Sequence, residues 1–258
     1  MDLIDFYFNP NLYSPSLKEK ADNILTSLQG KKVLDIGCGS GWIARLAIDR
    51  GFIITAMDIS RKVIEENIFY QKTSNIEYDI IQGSATKIPF PDQLFDSVIM
   101  TEVLEHLPDP ELALKEIYRV LKAGGILALS VPNGRTYGIL MDGIILKFLN
   151  SERSYESRLS AEFKKCGVNF TADDADIGGP HLQQFSEGKL KKMLVRNNFE
   201  IITIYNDEFL LPYINGFFSG LLGIDRKKLY WLERIDMALA KIMPRFMANG
   251  FLIIASKK

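Results

Sequence analysis

Along the first half of the chain, segments with the hydrophobic spacing of helices alternate with short apolar runs typical of buried strands. In residues 15–29 apolar side chains recur every three or four positions, which predicts an amphipathic helix that begins at Pro15 and ends at Gly30. Short apolar runs typical of buried strands follow, and further segments of helical spacing separate several of them. The predicted strands are 31–37, 52–58, 76–83, 94–100 and 126–133, and the predicted helices between them are 40–51, 60–73 and 110–122.

This alternation predicts an α/β fold, because parallel strands joined by right-handed helical crossovers form a doubly wound sheet. The rhythm breaks after Asn133 and returns with a helix at 186–198 and strands at 199–207 and 250–258. We therefore predict a Rossmann-like, seven-stranded, mostly parallel sheet with helices on both faces and a cap built from two insertions. The prediction is one domain, 1–258, with a core of 15–133, 186–206 and 249–258 and irregular cap insertions at 134–185 and 207–248.

Bulk composition restricts the classes of partner. The 258 residues carry a formal net charge of -1, so no basic field attracts nucleic acid, and we expect none as a partner. Two cysteines suggest no disulfide framework, and the start of the chain shows no signal peptide, so we expect a cytoplasmic protein. The apolar stretch 209–224 is shorter than the roughly 20 residues that span a bilayer.

The segment VLDIGCGSG, residues 33–41, is the most informative part of the chain. It runs from a predicted strand into three glycines at alternate positions, a pattern that lets the backbone pass close to a ligand. The G-x-G-x-G spacing differs from the G-x-G-x-x-G of dinucleotide folds. Asp58 ends the next strand, 21 residues after Gly37, where an acid can accept hydrogen bonds from ribose hydroxyls. A solvated acid at a strand end is the alternative for Asp58 alone.

These strings resemble class I S-adenosylmethionine-dependent methyltransferases. VLDIGCGSG is similar to the first motif of that family, and MDIS to its acidic end of the second strand. GSATKIPFPDQLFDSVIMTEVLEHLPDP and VLKAGGILALSVPN resemble the later motifs. HLQQFSEGKLKKMLVRNNFEI is similar to the ubiquinone-biosynthesis-like branch. The resemblance is densest over residues 31–133, and it implies S-adenosyl-L-methionine as the cofactor and a small molecule as the substrate.

The resemblance also implies a role for individual positions. Asp35 would meet the methionine amino group, Gly37 and Gly39 would let the backbone approach, and Cys38 lies between them. Asp58 would hold the ribose and Ile59 would pack on the adenine. Further implied cofactor contacts are Ser84 and Ala85 at the adenine edge, where relatives often have Asp before the alanine, and Thr101 and Glu102 below the methionine portion.

Two histidines are the candidates for proton transfer. His106 and His181 could each act as a general base if the methyl acceptor must lose a proton, and His181 is ranked first because it lies between cap and core. The alternatives are an orienting or core role for His106 and a helix-entry hydrogen bond for His181. Asp173, Asp174 and Asp176 are interpreted as a solvated loop, and we predict no metal site.

Three hypotheses of function stay open at this point. The first is a methyltransferase that acts, most simply, on an oxygen of a small and lipophilic molecule. The second is a nicotinamide-dependent oxidoreductase, which shares the strand, the glycine loop and the acid but has a different glycine spacing. The third is a non-catalytic cofactor-binding partner subunit. The insert 209–224 either packs the cap onto the sheet or forms an apolar substrate pocket or a membrane contact, the last of which is not favoured.

Overall fold

The computed structural model describes residues 14–134, 181–207 and 230–258. Within these ranges one seven-stranded sheet is flanked by helices, in agreement with the predicted fold class. The strands are β1 Lys32–Ile36, β2 Ile53–Asp58, β3 Asp79–Gln82, β4 Phe95–Thr101, β5 Leu121–Pro132, β6 Phe199–Asn206 and β7 Gly250–Lys257. The helices are α1 Pro15–Ser27, α2 Trp42–Ile48, α3 Arg61–Ser74, α4 Pro110–Val120, α5 Glu187–Arg196 and α6 Tyr230–Ile242.

The order of the strands places the glycine loop at the centre of the sheet. The order is β3-β2-β1-β4-β5-β7-β6, so the chain leaves β1 toward one edge and returns at β4 toward the other. Only β7 runs antiparallel to its neighbours, β5 and β6. The carboxyl ends of β5 and β6 consequently lie on the same edge as those of β1, β2 and β4, and both segments predicted as insertions leave the sheet there.

Local sequence explains where the helices begin. Ser14, Ser60 and Ser186 each accept a hydrogen bond from the backbone N–H three residues later, which satisfies a donor that the helix itself leaves without a partner. Asp109 does the same for α4. The prolines that open α1 and α4 stand where the helix needs no N–H, as the sequence predicted.

Two apolar layers hold the helices against opposite faces of the sheet. On one face, α4 and α5 pack on side chains such as Leu34 and Met100; on the other, α1 and α2 pack on side chains such as Val33 and Ile99. Neighbouring residues of a strand point to opposite faces, so strands buried on both sides read as nearly continuous apolar runs. No helix among the described residues is both long and apolar enough to cross a bilayer.

The structure corrects two boundaries. Residues 207–248 were expected to be irregular, but α6 occupies Tyr230–Ile242. Strand β5 begins at Leu121 rather than 126, because Leu121 pairs with Phe95 before a shift in register to the Ser97–Ile126 pair. The three acids at 173–176, Cys166 and the insert 209–224 lie outside the described residues. The cap therefore stays a prediction.

Candidate active site

The candidate site lies at the carboxyl ends of β1, β2 and β4. Asp35 pairs in register with Ala56 of β2 and Ile99 of β4, so the residues that follow these strands leave the sheet side by side. The strand order reverses between β1 and β4, and doubly wound sheets bind ligands outside the carboxyl ends of the strands at such a reversal. The predicted cofactor residues are thereby brought to one edge of the sheet.

The glycine loop has the conformation that its sequence demands. Gly37, Gly39 and Gly41 have φ of 69°, 51° and 68°, a left-handed region that other residues enter at a cost. The Gly37 and Cys38 N–H groups both donate to the Met57 carbonyl, at 2.7 and 3.2 Å, which ties the loop to β2. The loop is thus held by backbone contacts that leave its outer side available.

Two of these glycines face different surroundings. A Cβ at Gly37 would lie 2.2 Å from Val103 Cγ2, so the position is filled by the protein itself. A Cβ at Gly39 would meet nothing within 4 Å. The space at Gly39 is therefore open, as a loop that cradles a ligand requires.

Polar side chains that had no predicted role hold the glycine loop through its carbonyl groups. Asn67 Nδ2 donates to the Gly39 carbonyl at 2.8 Å, and the Tyr78 hydroxyl donates to Asn67 Oδ1. Buried Arg45 donates to the Ser40 carbonyl. No local motif marks these residues, because each acts across 5 to 28 positions of the chain.

The carboxylate of Asp58 lies against the loop. Oδ2 accepts from the Gly39 N–H at 3.1 Å and Oδ1 from the Ser60 N–H at 2.9 Å. Burial raises the pKa of Asp58, while these N–H bonds oppose the rise. The side chain of the next residue, Ile59, is 65% exposed beside it. An acid and an exposed apolar side chain in this arrangement could hold a ribose and one face of an adenine.

Asp35 is the least satisfied polar group of the site. Its side chain is 1% exposed, and no described residue donates a hydrogen bond to either carboxylate oxygen. Burial, followed by the charge of Asp58, raises the pKa of Asp35 to about 7. A buried carboxylate without partners is costly, and native proteins keep one where a ligand completes it. A cationic or hydrogen-bond-donating ligand at the loop would do so.

Three further predicted cofactor residues are buried or already have local hydrogen-bond partners. Ser84 Oγ lies 2.9 Å from Thr86 Oγ1 and accepts from the Thr86 N–H, so the hydroxyl already has local partners. Ala85 is buried. Cys38 is buried as well, and burial raises the pKa of its thiol well above the ordinary value, so the thiol stays protonated.

The residue that follows β4, Glu102, has a strained backbone and is bonded to two other elements. Glu102, at φ +54°, accepts from Ser130 Oγ at 2.6 Å and from Lys20 Nζ at 2.9 Å. Lys20 of α1 also reaches Asp207, after β6, at 2.7 Å. Burial opposes the charge on Lys20, but Asp207 and Glu102 raise its pKa overall. The sequence gives no local signal for Lys20, because its partners lie 82 and 187 residues away.

The two candidate bases meet in space. The rings of His106 and His181 are 4.9 Å apart between centroids, in an edge-to-face arrangement at 71°. Glu105 Oε1 lies 3.7 Å from His106 Nε2, and the Glu105 carbonyl accepts from the N–H groups of Leu182 and Gln183, both at 2.9 Å. These backbone bonds fix the segment of His181 against the end of β4.

Burial shapes the charge of this group. It lowers the pKa of His181, with His106 as a second cause, so His181 is neutral near pH 7 and able to accept a proton. Burial and the neighbouring Glu102 raise the pKa of Glu105 to about 8. One ligand atom from each of Glu105, His106 and His181 lies within 4.8 Å of the others, a spacing that could hold a metal ion. The sequence analysis predicted no metal site, and that prediction is untested.

Comparisons with known proteins agree with the fold. Residues 34–129 match the model of a family described as a methyltransferase domain. A ubiquinone biosynthesis O-methyltransferase of Pseudomonas entomophila is 38% identical over 109 residues, which cover 42% of this chain and 47% of that protein. The chain thus spans about half the length of the curated relatives it matches.

Solved structures extend the likeness to most of the chain. A protein described as a sarcosine dimethylglycine methyltransferase of Galdieria sulphuraria superposes with a TM-score of 0.61 at 15% identity, covering 93% of this chain and 84% of its own. The [4+2]-cyclase SpnF superposes with a TM-score of 0.58 at 18% identity, covering 93% and 80%. At such identities the likeness concerns the fold alone, and one fold serves more than one reaction.

Proposed function

We propose that this chain is a class I S-adenosylmethionine-dependent methyltransferase, which binds S-adenosylmethionine at the glycine loop and transfers its methyl group to an oxygen atom of a small molecule. The observation that carries the proposal is the buried Asp35 carboxylate behind an open glycine loop, which no described residue satisfies. S-adenosylmethionine has two cationic groups, a sulfonium and an ammonium, and either would offset that charge.

The proposed cofactor contacts follow from the surroundings of the loop. Asp35 attracts the cationic methionine portion, and the open side of Gly39 gives the backbone room to approach it. Asp58 accepts from the ribose hydroxyls, and Ile59 packs on the adenine. Ser84, already engaged with Thr86, contributes at most a weak polar contact to the adenine edge.

When bound, the cofactor would supply a methyl group attached to a positively charged sulfur, and the sulfur would keep the electron pair of the broken carbon–sulfur bond. The protein must therefore align the acceptor with that methyl group and exclude water. An acceptor hydroxyl must also lose its proton, and His181, neutral near pH 7, receives it, while His106 orients the His181 ring through their contact. The alternative interpretation of both histidines is structural.

The acceptor class rests on the relatives. Proteins named ubiquinone biosynthesis O-methyltransferases are similar to this chain over about half of their own length. Their name favours a hydroxyl group of a small, lipophilic molecule as the methyl acceptor. A cytoplasmic enzyme is part of the same proposal. The [4+2]-cyclase with this fold makes a direct activity measurement necessary, because the fold alone does not fix the reaction.

The test has two stages. Calorimetry with the full chain and S-adenosylhomocysteine should show saturable binding that Asp58→Ala weakens, while the exposed surface variant Val195→Ala binds like the wild type. Transfer of a labelled methyl group is then measured on a panel of catechols, phenols and amines, with NADH fluorescence as the assay for the oxidoreductase hypothesis. Absence of binding would contradict the proposal, whereas binding without transfer to any acceptor would favour the non-catalytic subunit.

A further inference from the structure

One face of α6 exposes large apolar side chains. Trp231, Ile235, Leu239 and Ile242 recur at spacings of three or four residues, and Phe246 in the following turn continues the series. We call these five residues the apolar stripe; each is between 40 and 79% exposed. Positions with this spacing lie on one side of a helix, so the stripe is continuous.

The opposite face of the same helix is the buried one, and it carries both acids of the helix. Glu233, Asp236 and Ala240 are buried against the rest of the protein. An ordinary surface helix buries its apolar side and exposes its charges. Helix α6 does the reverse, so the packing of the protein core does not account for the apolar stripe.

The exposed charges on α6 and the turn that follows it have one sign. Among residues 230–247, all of which the structure describes, the exposed charged side chains are Arg234, Lys241 and Arg245, and both acids are buried. Arg234 and Lys241 are seven residues apart, which is about two helical turns, so they stand in one row beside the stripe. Lys241 forms an ion pair with Glu19, and Arg245 forms one with Glu187. Surface ion pairs of this kind contribute little to folding stability.

Side-chain amides hold α6 in a fixed place. Asn206 Nδ2 donates to the carbonyls of Ala240 and Met243, and Asn133 Nδ2 donates to those of Phe246 and Ala248. Asn206 ends β6 and Asn133 follows β5, so the helix is attached at the carboxyl edge of the sheet. The C-terminal end of α6 and the turn after it are therefore attached at the same edge of the sheet as the candidate site.

We propose that this face of α6 lies flat on an anionic lipid bilayer. An apolar stripe with basic residues along its border is the pattern of helices that bind in the plane of a membrane interface, where the apolar side enters the acyl boundary and the cations meet anionic headgroups. At 13 residues α6 is too short to span a bilayer. The proposal does not depend on the proposed methyltransferase activity.

Vesicle binding tests the proposal on the full chain. Flotation is measured with phosphatidylcholine vesicles, with and without phosphatidylglycerol, and fluorescence of Trp231 is followed in a Trp42→Phe background that leaves it as the sole tryptophan. The test variant carries Ile235→Gln, Leu239→Gln and Ile242→Gln. The matched control carries Leu112→Gln, Val195→Gln and Ile202→Gln, three exposed apolar residues on other elements. Circular dichroism checks that each variant folds.

We expect binding to the anionic vesicles only, a blue shift of Trp231 on binding, and at least about tenfold weaker binding of the test variant than of the control. Arg234→Gln with Lys241→Gln should weaken binding and reduce its dependence on salt. Equal binding by the test variant, or no vesicle binding, would overturn the proposal. A concentration-dependent dimer that only the test variant loses would also overturn it, because the stripe would then bind a second copy of the chain. Shielding of Trp231 from a quencher in the absence of lipid would overturn it too, because the chain itself would then cover the stripe.

Discussion

Replacing the buried Asp35 by asparagine should stabilise the ligand-free protein increasingly as the pH rises. The pKa of Asp35 is raised from the ordinary 3.8 to about 7 by burial, with a contribution from Asp58. Between these two values the unfolded chain releases the proton and the folded protein keeps it, so stability falls as the pH rises from about 4 to 7. Above pH 7 the loss is complete. Asparagine has no such titration, and the variant escapes this loss.

The size of the effect follows from the two pKa values. At about 1.4 kcal/mol per unit, the loss caused by Asp35 grows from about 1.5 kcal/mol at pH 5 to about 4 kcal/mol at pH 8. The difference of about 2.5 kcal/mol corresponds to about 5–10 °C in Tm for a chain of this size. The asparagine amide carries its own cost of burial, but that cost is the same at both pH values. The change with pH is therefore the diagnostic quantity.

Thermal unfolding of wild type and Asp35→Asn at pH 5 and pH 8 measures it. Asp96→Asn is the control: hydrogen bonds from Lys122 and from the N–H groups of Lys32 and Lys31 lower the pKa of Asp96 to about 2. Its stabilising contribution is lost only in acid, so that variant should be less stable by a similar amount at both pH values. If the Tm difference between Asp35→Asn and wild type stays constant or shrinks from pH 5 to pH 8, Asp35 is not a buried carboxylate without partners.

Three further results are expected at the candidate site. His181→Ala should lower kcat by about 100-fold or more while the cofactor Kd stays unchanged. Wild-type kcat at saturating cofactor should stay level near neutral pH and fall in acid, because the base must be neutral and burial lowers the pKa of His181. An equal loss with His106→Ala would contradict their distinct roles. Ile59→Ser should leave Tm within about 2 °C but weaken S-adenosylhomocysteine binding about tenfold, because the side chain is exposed in the free protein. Gly39→Ala should fold but fail to bind S-adenosylhomocysteine, because its methyl group would enter the open side of the loop, whereas Gly37→Ala should lower Tm markedly because its methyl group would clash with Val103. Calorimetry measures the binding and thermal melting measures Tm. Equal behaviour of the two variants would refute the assignment of the open side of Gly39 to the ligand.

Much of the core could be predicted from local pattern. The helix caps at Ser60 and Asp109, the strand that enters the glycine loop and the acid at the end of β2 depend on residues close together in the chain. Helix α6 was not recognised as a helix, although its spacing is helical. Its large apolar residues are exposed and its acids are buried, so its pattern is not that of a helix which packs an apolar face on the core.

Other features depend on contacts that the sequence does not encode locally. The edge-to-face pair of His106 and His181 joins positions 75 apart, and Lys20 links α1 to the ends of β4 and β6. The raised pKa of Asp35 likewise requires the burial that the folded sheet imposes on a carboxylate. Spacing along the chain predicts the sheet and the glycine loop, and the resemblance of the motifs implies the methyl donor. The side chains that meet at the edge of the sheet, and the carboxylate that finds no donor among the described residues, are evident only in the folded protein, because burial and long-range contact exist only there.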